Sequence, residues 1–217
     1  MKRQVAAAGK KDPLSRWDRG DLFQFYMQHM RVVMSLTADL DVTPLIRSTR
    51  RTGLNFYAAM VWAVSKVVNA HDEFKYGWDD SGDLIRWDVI SPSYARFHNE
   101  DGRFTKLVTP FSDDLAAFHA QFLADKEAYR DCRGILPGQP PNFFDVSCLP
   151  WVRYRHCDLH VFDEGRFLAP VVTWGKYEED QGKWSMPLTM NIHHAVADGF
   201  HLCRFFREVQ ALIDGLA

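Results

Sequence analysis

Little in this sequence is distributed the way metal, nucleotide or membrane proteins distribute it, and each shortage removes a class of function. The four cysteines, Cys132, Cys148, Cys157 and Cys203, are scattered without ligand spacing, and no His-x-x-x-His pair falls on one expected helix, so no metal site is predicted. There is no Gly-x-Gly-x-x-Gly and no phosphate loop, so any nucleotide must be held by residues brought together from separate segments. No apolar run approaches the length of a membrane span, and the start, Met-Lys-Arg-Gln-Val-Ala-Ala-Ala-Gly-Lys-Lys, lacks the apolar core of a signal peptide. A cytoplasmic protein with no membrane partner is expected. With 26 Lys and Arg against 28 Asp and Glu, the net charge of −2 gives no electrostatic case for nucleic acid. That compartment, and burial-prone surroundings for Cys148, Cys157 and Cys203, favour reduced thiols.

What is present suits one α/β domain with a substantial core: 217 residues, 47% hydrophobic and 14% aromatic. Residues 1–13 read as a poorly ordered tail and residues 14–217 as the folded domain. Asp21 is placed to cap a helix carrying Leu22, Phe23, Tyr26 and Met30; a second, amphipathic helix runs over about residues 56–69 and a third from residues 112–114 to about 129. Residues 79–83 read as a turn between two strands and residues 134–142 as a loop. Strand-like runs follow at 143–149, 157–162 and 168–177, then a hairpin turn at 178–183 and a last strand over 184–192. The order predicts a single-domain mixed β-sheet with flanking helices.

Residues 191–201 read Asn-Ile-His-His-Ala-Val-Ala-Asp-Gly-Phe-His. Alternating Met186, Leu188, Met190 and Ile192 make a strand before them, and Leu202, Phe205, Phe206, Val209 and Ile213 make a helix after. The histidines therefore end a strand, where an imidazole can be held by its own backbone while its other nitrogen faces a cleft as a base. Two other readings stand beside this one. His193 and His194 can be plain turn histidines with Asp198 as an N-cap. A metal reading would recruit His194 and Asp198, or His193, His194 and His201, with no ligand spacing elsewhere to support it.

The run His-His-Ala-Val-Ala-Asp-Gly-Phe-His resembles the active-site signature of the chloramphenicol acetyltransferases and, more loosely, that of the acyltransferase cores of 2-oxo acid dehydrogenase complexes. Further blocks favour the first family over roughly residues 15–212: Trp17-x-Arg19 with Phe25-Tyr26, Ser35-Leu36-Thr37, Asn55-Phe56-Tyr57, Ile85-x-Trp87-Asp88, Val146-Ser147-x-Leu149-Pro150-Trp151, Ala169-Pro170 and Thr173-x-Gly175-Lys176-Tyr177. The resemblance implies a homotrimer with active sites at subunit interfaces, acetyl-CoA as cosubstrate without a metal, and acetyl transfer to a hydroxyl of chloramphenicol. By position it makes His194 the base, His193 its structural partner, Ser147 the oxyanion donor, and Thr173 the holder of a water near the intermediate. Asp198 and Arg19 match a buried ion pair. Lys176 and Tyr177 match residues at the coenzyme end, with Tyr57 available to the adenine; Asn55 replaces a usual lysine near the nucleotide phosphate, which would weaken coenzyme binding or shift its charge pairing to Arg51. Cys148 is turned away from Ser147 by strand alternation, which favours packing over an acyl-carrying role.

In the acceptor pocket the resemblance places Tyr26, Met30, Phe104, Leu159 and His160. Met30, Val32 and Met34 replace other apolar types, whereas Lys106, Asp145, Cys157 and His160 stand where the family is smaller, neutral or aromatic. An unpaired polar group there would oppose a largely apolar ligand by about 1–3 kcal/mol. Another hydroxyl-bearing acceptor therefore stands beside chloramphenicol. A dehydrogenase-complex core is disfavoured because only a short tail precedes the fold, and a non-catalytic relative because His194, Ser147, Thr173, Asp198 and Arg19 are all present.

Overall fold

The computed structural model describes residues 8–11, 17–159, 161 and 165–216. In chain order the elements are β1 (Gly9–Lys11), α1 (Gly20–Gln28), β2 (Val33–Asp41), α2 (Thr43–Thr52), α3 (Phe56–Ala70), β3 (Tyr76–Trp78), β4 (Leu84–Trp87), β5 (Ser91–His98), β6 (Arg103–Val108), α4 (Leu115–Ala128), β7 (Gly134–Ile135), β8 (Phe143–Leu149), β9 (Val171–Gly175), β10 (Glu178–Asp180), β11 (Lys183–His193) and α5 (Gly199–Asp214).

The main sheet is mixed, as the element order predicted. β11 is its longest strand and bonds β2 along one side, from Ser185↔Asp41 to His193↔Val33, and β10 and then β9 along the other. From β9 the sheet continues through β8 to β5 in parallel, then antiparallel to β6, with short β7 at the far edge. β9 is buried throughout and β8 at Phe144 and Val146, and their parallel pairing puts Ser147 directly beside Thr173. The same lateral row continues to Thr189 on β11 and Thr37 on β2, so four hydroxyl side chains cross the sheet in line.

Helix α3 starts where Asn55 accepts the Ala58 N–H at 3.0 Å, and it packs against α4 and α5. It is buried on nearly all faces, including Met60, Val61, Trp62, Val64, Val67 and Val68, rather than amphipathic, because sheet and helices enclose it together. Asn55 is thus occupied as a helix cap. α2 escaped the sequence reading because its interior is polar and arginine-rich. Its punctuation was nevertheless readable: Pro44 in the first turn, Arg50 and Arg51 in the last, and Gly53 in the left-handed conformation at φ +72°.

Several other expectations are corrected. Residues 9–11 are not a loose tail: they pair with β4, and Lys11 Nζ reaches Asp83 at 2.5 Å and Asp79 at 3.3 Å. Asp21 does not cap α1. Arg19 takes that position with its side chain engaged elsewhere, and Asp21 falls in the first turn, where its charge suits the helix dipole. Residues 157–159 and 161 form no strand, since no strand among the described residues pairs with them; the Cys157 carbonyl instead accepts the Ser35 hydroxyl at 3.4 Å. Cys203 is exposed, and Cys132, Cys148 and Cys157 are only partly buried; all four are free thiols.

Behind β8 the chain folds back over β9. Val152 O accepts the Lys176 N–H at 2.9 Å, and the Tyr154 hydroxyl donates to Thr173 O at 2.6 Å. The crossing is possible because position 175 is glycine: a Cβ there would lie 2.9 Å from Val152 O and 3.0 Å from both Pro187 Cγ and Tyr154 Cδ1. Gly175→Ala should therefore cost roughly 1–3 kcal/mol, a fall in Tm of about 3–10 °C for a chain of this size. A thermal melt checks this, and an unchanged Tm would mean the crossing segment yields freely.

Candidate active site

The functional side chains gather in two places. At the first, β11 ends at His193 and a tight turn leads to Asp198, which caps α5 by accepting the Phe200 N–H at 3.0 Å. Within the turn the His194 N–H donates to Val32 O at 2.8 Å, and Nδ1 lies 2.9 Å from Ala197 O. A carbonyl oxygen only accepts, so Nδ1 carries the hydrogen and Nε2 presents a lone pair. The ring is stacked on Tyr26, centroids 4.1 Å apart at 26°, which fixes its plane. His193 is buried, and its Nδ1 accepts the Ala195 N–H at 3.1 Å, a bond that shapes the turn. Met30 lies exposed just past the end of α1.

Arg19 holds this turn from outside. Its Nη2 donates to His194 O at 2.8 Å, its Nε to Ala195 O at 2.9 Å, and its Nη1 meets Asp198 Oδ2 at 3.0 Å. One guanidinium thus ties two carbonyls of this turn to the cap of α5. The pair is less buried in a single chain than the resemblance implied, with side chains 13% and 37% exposed. Burial would raise the Asp198 carboxyl, but His201, Arg19 and the Phe200 N–H outweigh it and hold the group below its ordinary range.

The second place is a cavity of about 1030 Å³. Ser147, Phe104 and Leu159 line it together with Tyr57, Lys176 and Tyr177. Its size is at the upper end for small-molecule sites, enough for two substrates end to end. Thr173 is buried beside Ser147, and its Oγ1 has no hydrogen-bond partner among the described residues. Tyr57 lies on the cavity wall, its hydroxyl donates to Ala95 O at 3.4 Å, and burial pushes its pKa well up. The ring is wedged among Tyr94, Phe122 and Trp174, so it is a wall rather than a free stacking platform. His160 lies outside the described residues.

Three features of this cavity escaped the sequence. Phe97 on β5 and the exposed Trp151 meet edge to face at 4.8 Å on its wall, a contact that only the β5–β8 pairing brings about. Cys148 reaches the wall despite strand alternation, but burial pushes its thiol up to about 12, which leaves it no thiolate for acyl transfer. Lys106 and Asp145, expected as unpaired polar intrusions, form an ion pair with each other.

His194 and Ser147 do not meet within one chain. Two strand spacings separate Ser147 from Thr189, and His194, just past the end of β11, is five residues further on, so their backbones are roughly 19 Å apart. The cavity lining contains neither His194 nor Tyr26.

The fold has known counterparts, for a model of the family described as chloramphenicol acetyltransferase matches residues 10–210. The chain belongs to the chloramphenicol acetyltransferase family. It is 37% identical over 205 residues to a chloramphenicol acetyltransferase of Streptomyces acrimycini, covering 92% of each protein. It is 34% identical over 198 residues to one of Clostridium perfringens, covering 90% of each. A solved chloramphenicol acetyltransferase superposes with a TM-score of 0.84 at 20% identity, over 95% of this chain and 100% of that one. Membership in the family makes the protein an acyltransferase.

The Arg19 clamp can be tested by separating its bonds. Arg19→Val removes all three at once, whereas Asp198→Asn keeps a capping oxygen and loses the charge together with the one bond from Arg19 Nη1. Arg19→Val should lower Tm and activity more than Asp198→Asn, both by less than the about 3–5 kcal/mol typical of breaking a fully buried pair. Because the folded Asp198 carboxyl is held below its unfolded range, its contribution is complete above about pH 4 and fades with acid. Melts of the wild type and Asp198→Asn from about pH 7 to about pH 3 should therefore converge; a gap that persists in acid would rule out the charge as its source.

Proposed function

We propose that the protein is a CoA-dependent O-acetyltransferase that moves the acetyl group of acetyl-CoA to the primary hydroxyl of chloramphenicol. The reaction would run by direct general-base attack, in sites shared between neighbouring subunits of a homotrimer. The observation that carries this is His194, with Nδ1 committed to Ala197 O and Nε2 left as the base. Nε2 takes the proton of the acceptor hydroxyl as its oxygen attacks the thioester carbon. The oxyanion that forms accepts a hydrogen bond from Ser147, and Thr173 lies beside it to hold a water. Collapse expels the thiolate of coenzyme A, which takes the proton back from the imidazolium, so His194 is regenerated and no acyl-enzyme is needed.

The shared site follows from distance. A base and an oxyanion donor must both reach one tetrahedral centre, and roughly 19 Å between their backbones is too far within one chain. One copy would supply His194 and Tyr26, the next Ser147, Thr173, Phe104 and Leu159, and a head-to-tail contact repeated around a ring closes the assembly. Lys176 and Tyr177 would receive the coenzyme; Tyr177 packs edge to face on Phe56 at 5.2 Å and on Trp184 at 5.4 Å, and is firmly placed for it. The Lys106–Asp145 pair removes the objection that its two charges stand unpaired against chloramphenicol, which supports that acceptor over another alcohol. A cytoplasmic location fits the supply of acetyl-CoA, and a role in antibiotic resistance fits the acceptor.

Thiol release from acetyl-CoA on adding chloramphenicol tests the reading. Ser147→Ala should lower turnover about 100-fold or more with little change in KM, and His194→Ala should abolish it while the fold is kept. His194→Ala turnover within about tenfold of wild type would exclude it as the base.

Mixing the two inactive variants tests the sharing. In a ring of three, every mixed assembly holds one interface where an intact His194 faces an intact Ser147, so random reassembly should restore about a quarter of wild-type activity. No recovery on mixing, with mixed oligomers demonstrated, would place the whole site in one chain.

A further inference from the structure

The mechanism above makes no use of the charged pair in the cavity wall. Lys106 stands on β6 opposite Ala95, and Asp145 on β8 opposite Ser93, so the pair reaches across β5 over a small side chain. Asp145 is two residues before Ser147 on the same strand face, about 7 Å away along the backbone. Both side chains keep contact with the cavity, at 20% and 32% exposure. Of the other charges on the wall, Lys176 is the one ascribed to the coenzyme, and Arg96 donates to the Lys126 carbonyl. Glu100 lies 2.8 Å from Arg133 and 3.3 Å from His98, and Lys126 sits over the Phe122 ring at 5.7 Å.

We propose that the Lys106–Asp145 pair determines acceptor specificity by keeping the wall beside Ser147 neutral, so that an uncharged alcohol is admitted and the same alcohol bearing an ammonium group is refused. This rests on the reading that this end of the cavity takes the acceptor. A neutral ligand meets a pair whose charges are already compensated. An ammonium must displace Lys106 from Asp145, or lie beside a like charge, in a site where partial burial strengthens both effects. Cutting one partner leaves the other as an orphan charge toward the ligand. Removing both leaves a neutral wall again.

The experiment compares chloramphenicol with its deacylated amine, 2-amino-1-(4-nitrophenyl)propane-1,3-diol, on wild type, Lys106→Leu, Asp145→Asn and the double variant. Each single change should raise the chloramphenicol KM about tenfold, and the double variant should return it to near the wild-type value. Lys106→Leu should also shift kcat/KM toward the amine by about tenfold, because Asp145 is then free to receive an ammonium, while Asp145→Asn shifts it the other way. The KM for acetyl-CoA should stay constant throughout. An unchanged preference between the two acceptors in both single variants overturns the proposal, as does a double variant that carries the summed damage of the singles. So does an effect confined to the KM for acetyl-CoA, which would assign the pair to the coenzyme arm. A wild-type protein that releases no thiol with either acceptor removes the reading beneath the inference, and the inference with it.

Discussion

The three hydrogen bonds of Arg19 are the constraint on which the histidine half of the site depends. A turn between a strand and a helix has carbonyls with no partners of its own, and here those of His194 and Ala195 point to one guanidinium that also meets the cap of α5. Because arginine is planar, always charged and forked, it can hold three acceptors in one fixed arrangement, which a lysine could not. The clamp comes from the segment just before α1, and α1 then carries Tyr26 back onto the imidazole. Orientation of the His194 ring is thus set by two contacts from one short stretch, far in sequence from residue 194 but adjacent to it in space.

The other half depends on the sheet. Ser147 and Thr173 are fixed by strand register, and the row extends through Thr189 to Thr37, where hydroxyls pass hydrogen bonds along. The direction of that chain can be worked out. Tyr154 donates to the Thr173 carbonyl and Thr189 donates to Tyr154, so Thr37 must donate to Thr189, and His156 Nδ1 to Thr37. Every proton in the network is committed to one acceptor, which holds β9 in place and leaves the Thr173 hydroxyl buried without a partner among the described residues.

How much of this was readable in the sequence followed the range of the interaction. The strand into the histidines, the cap at Asp198 and the run 143–149 depend on neighbours a few residues away, and they appear where the periodicity put them. α2 was missed because its signal is in its ends and not in an apolar stripe, and β1 because a three-residue strand has no period to detect. Residues 157–159 and 161 show the reverse error, since alternation describes a chain able to pair and says nothing about whether a partner lies beside it. Within the site, residue types were legible and pairings were not. Lys106 and Asp145 are 39 positions apart and look like two separate intrusions until β5 is seen between them.

The proposed division of the chemistry between two faces has a physical consequence for the isolated subunit. Each half is organised by contacts internal to its own chain: His194 by Arg19 and Tyr26, Ser147 by the sheet. Neither half needs the other to take its shape. Assembly would then bring two preorganised surfaces together and spend little on reordering them, while the distance between base and donor, the quantity to which proton transfer and oxyanion stabilisation are most sensitive, is fixed by the packing of one subunit on the next. On that reading activity and oligomeric stability are linked through the same interface. A substitution at the contact can abolish turnover while every residue that touches substrate stays intact, because an error of about 1 Å in the approach of the two faces is enough to cost two orders of magnitude in rate.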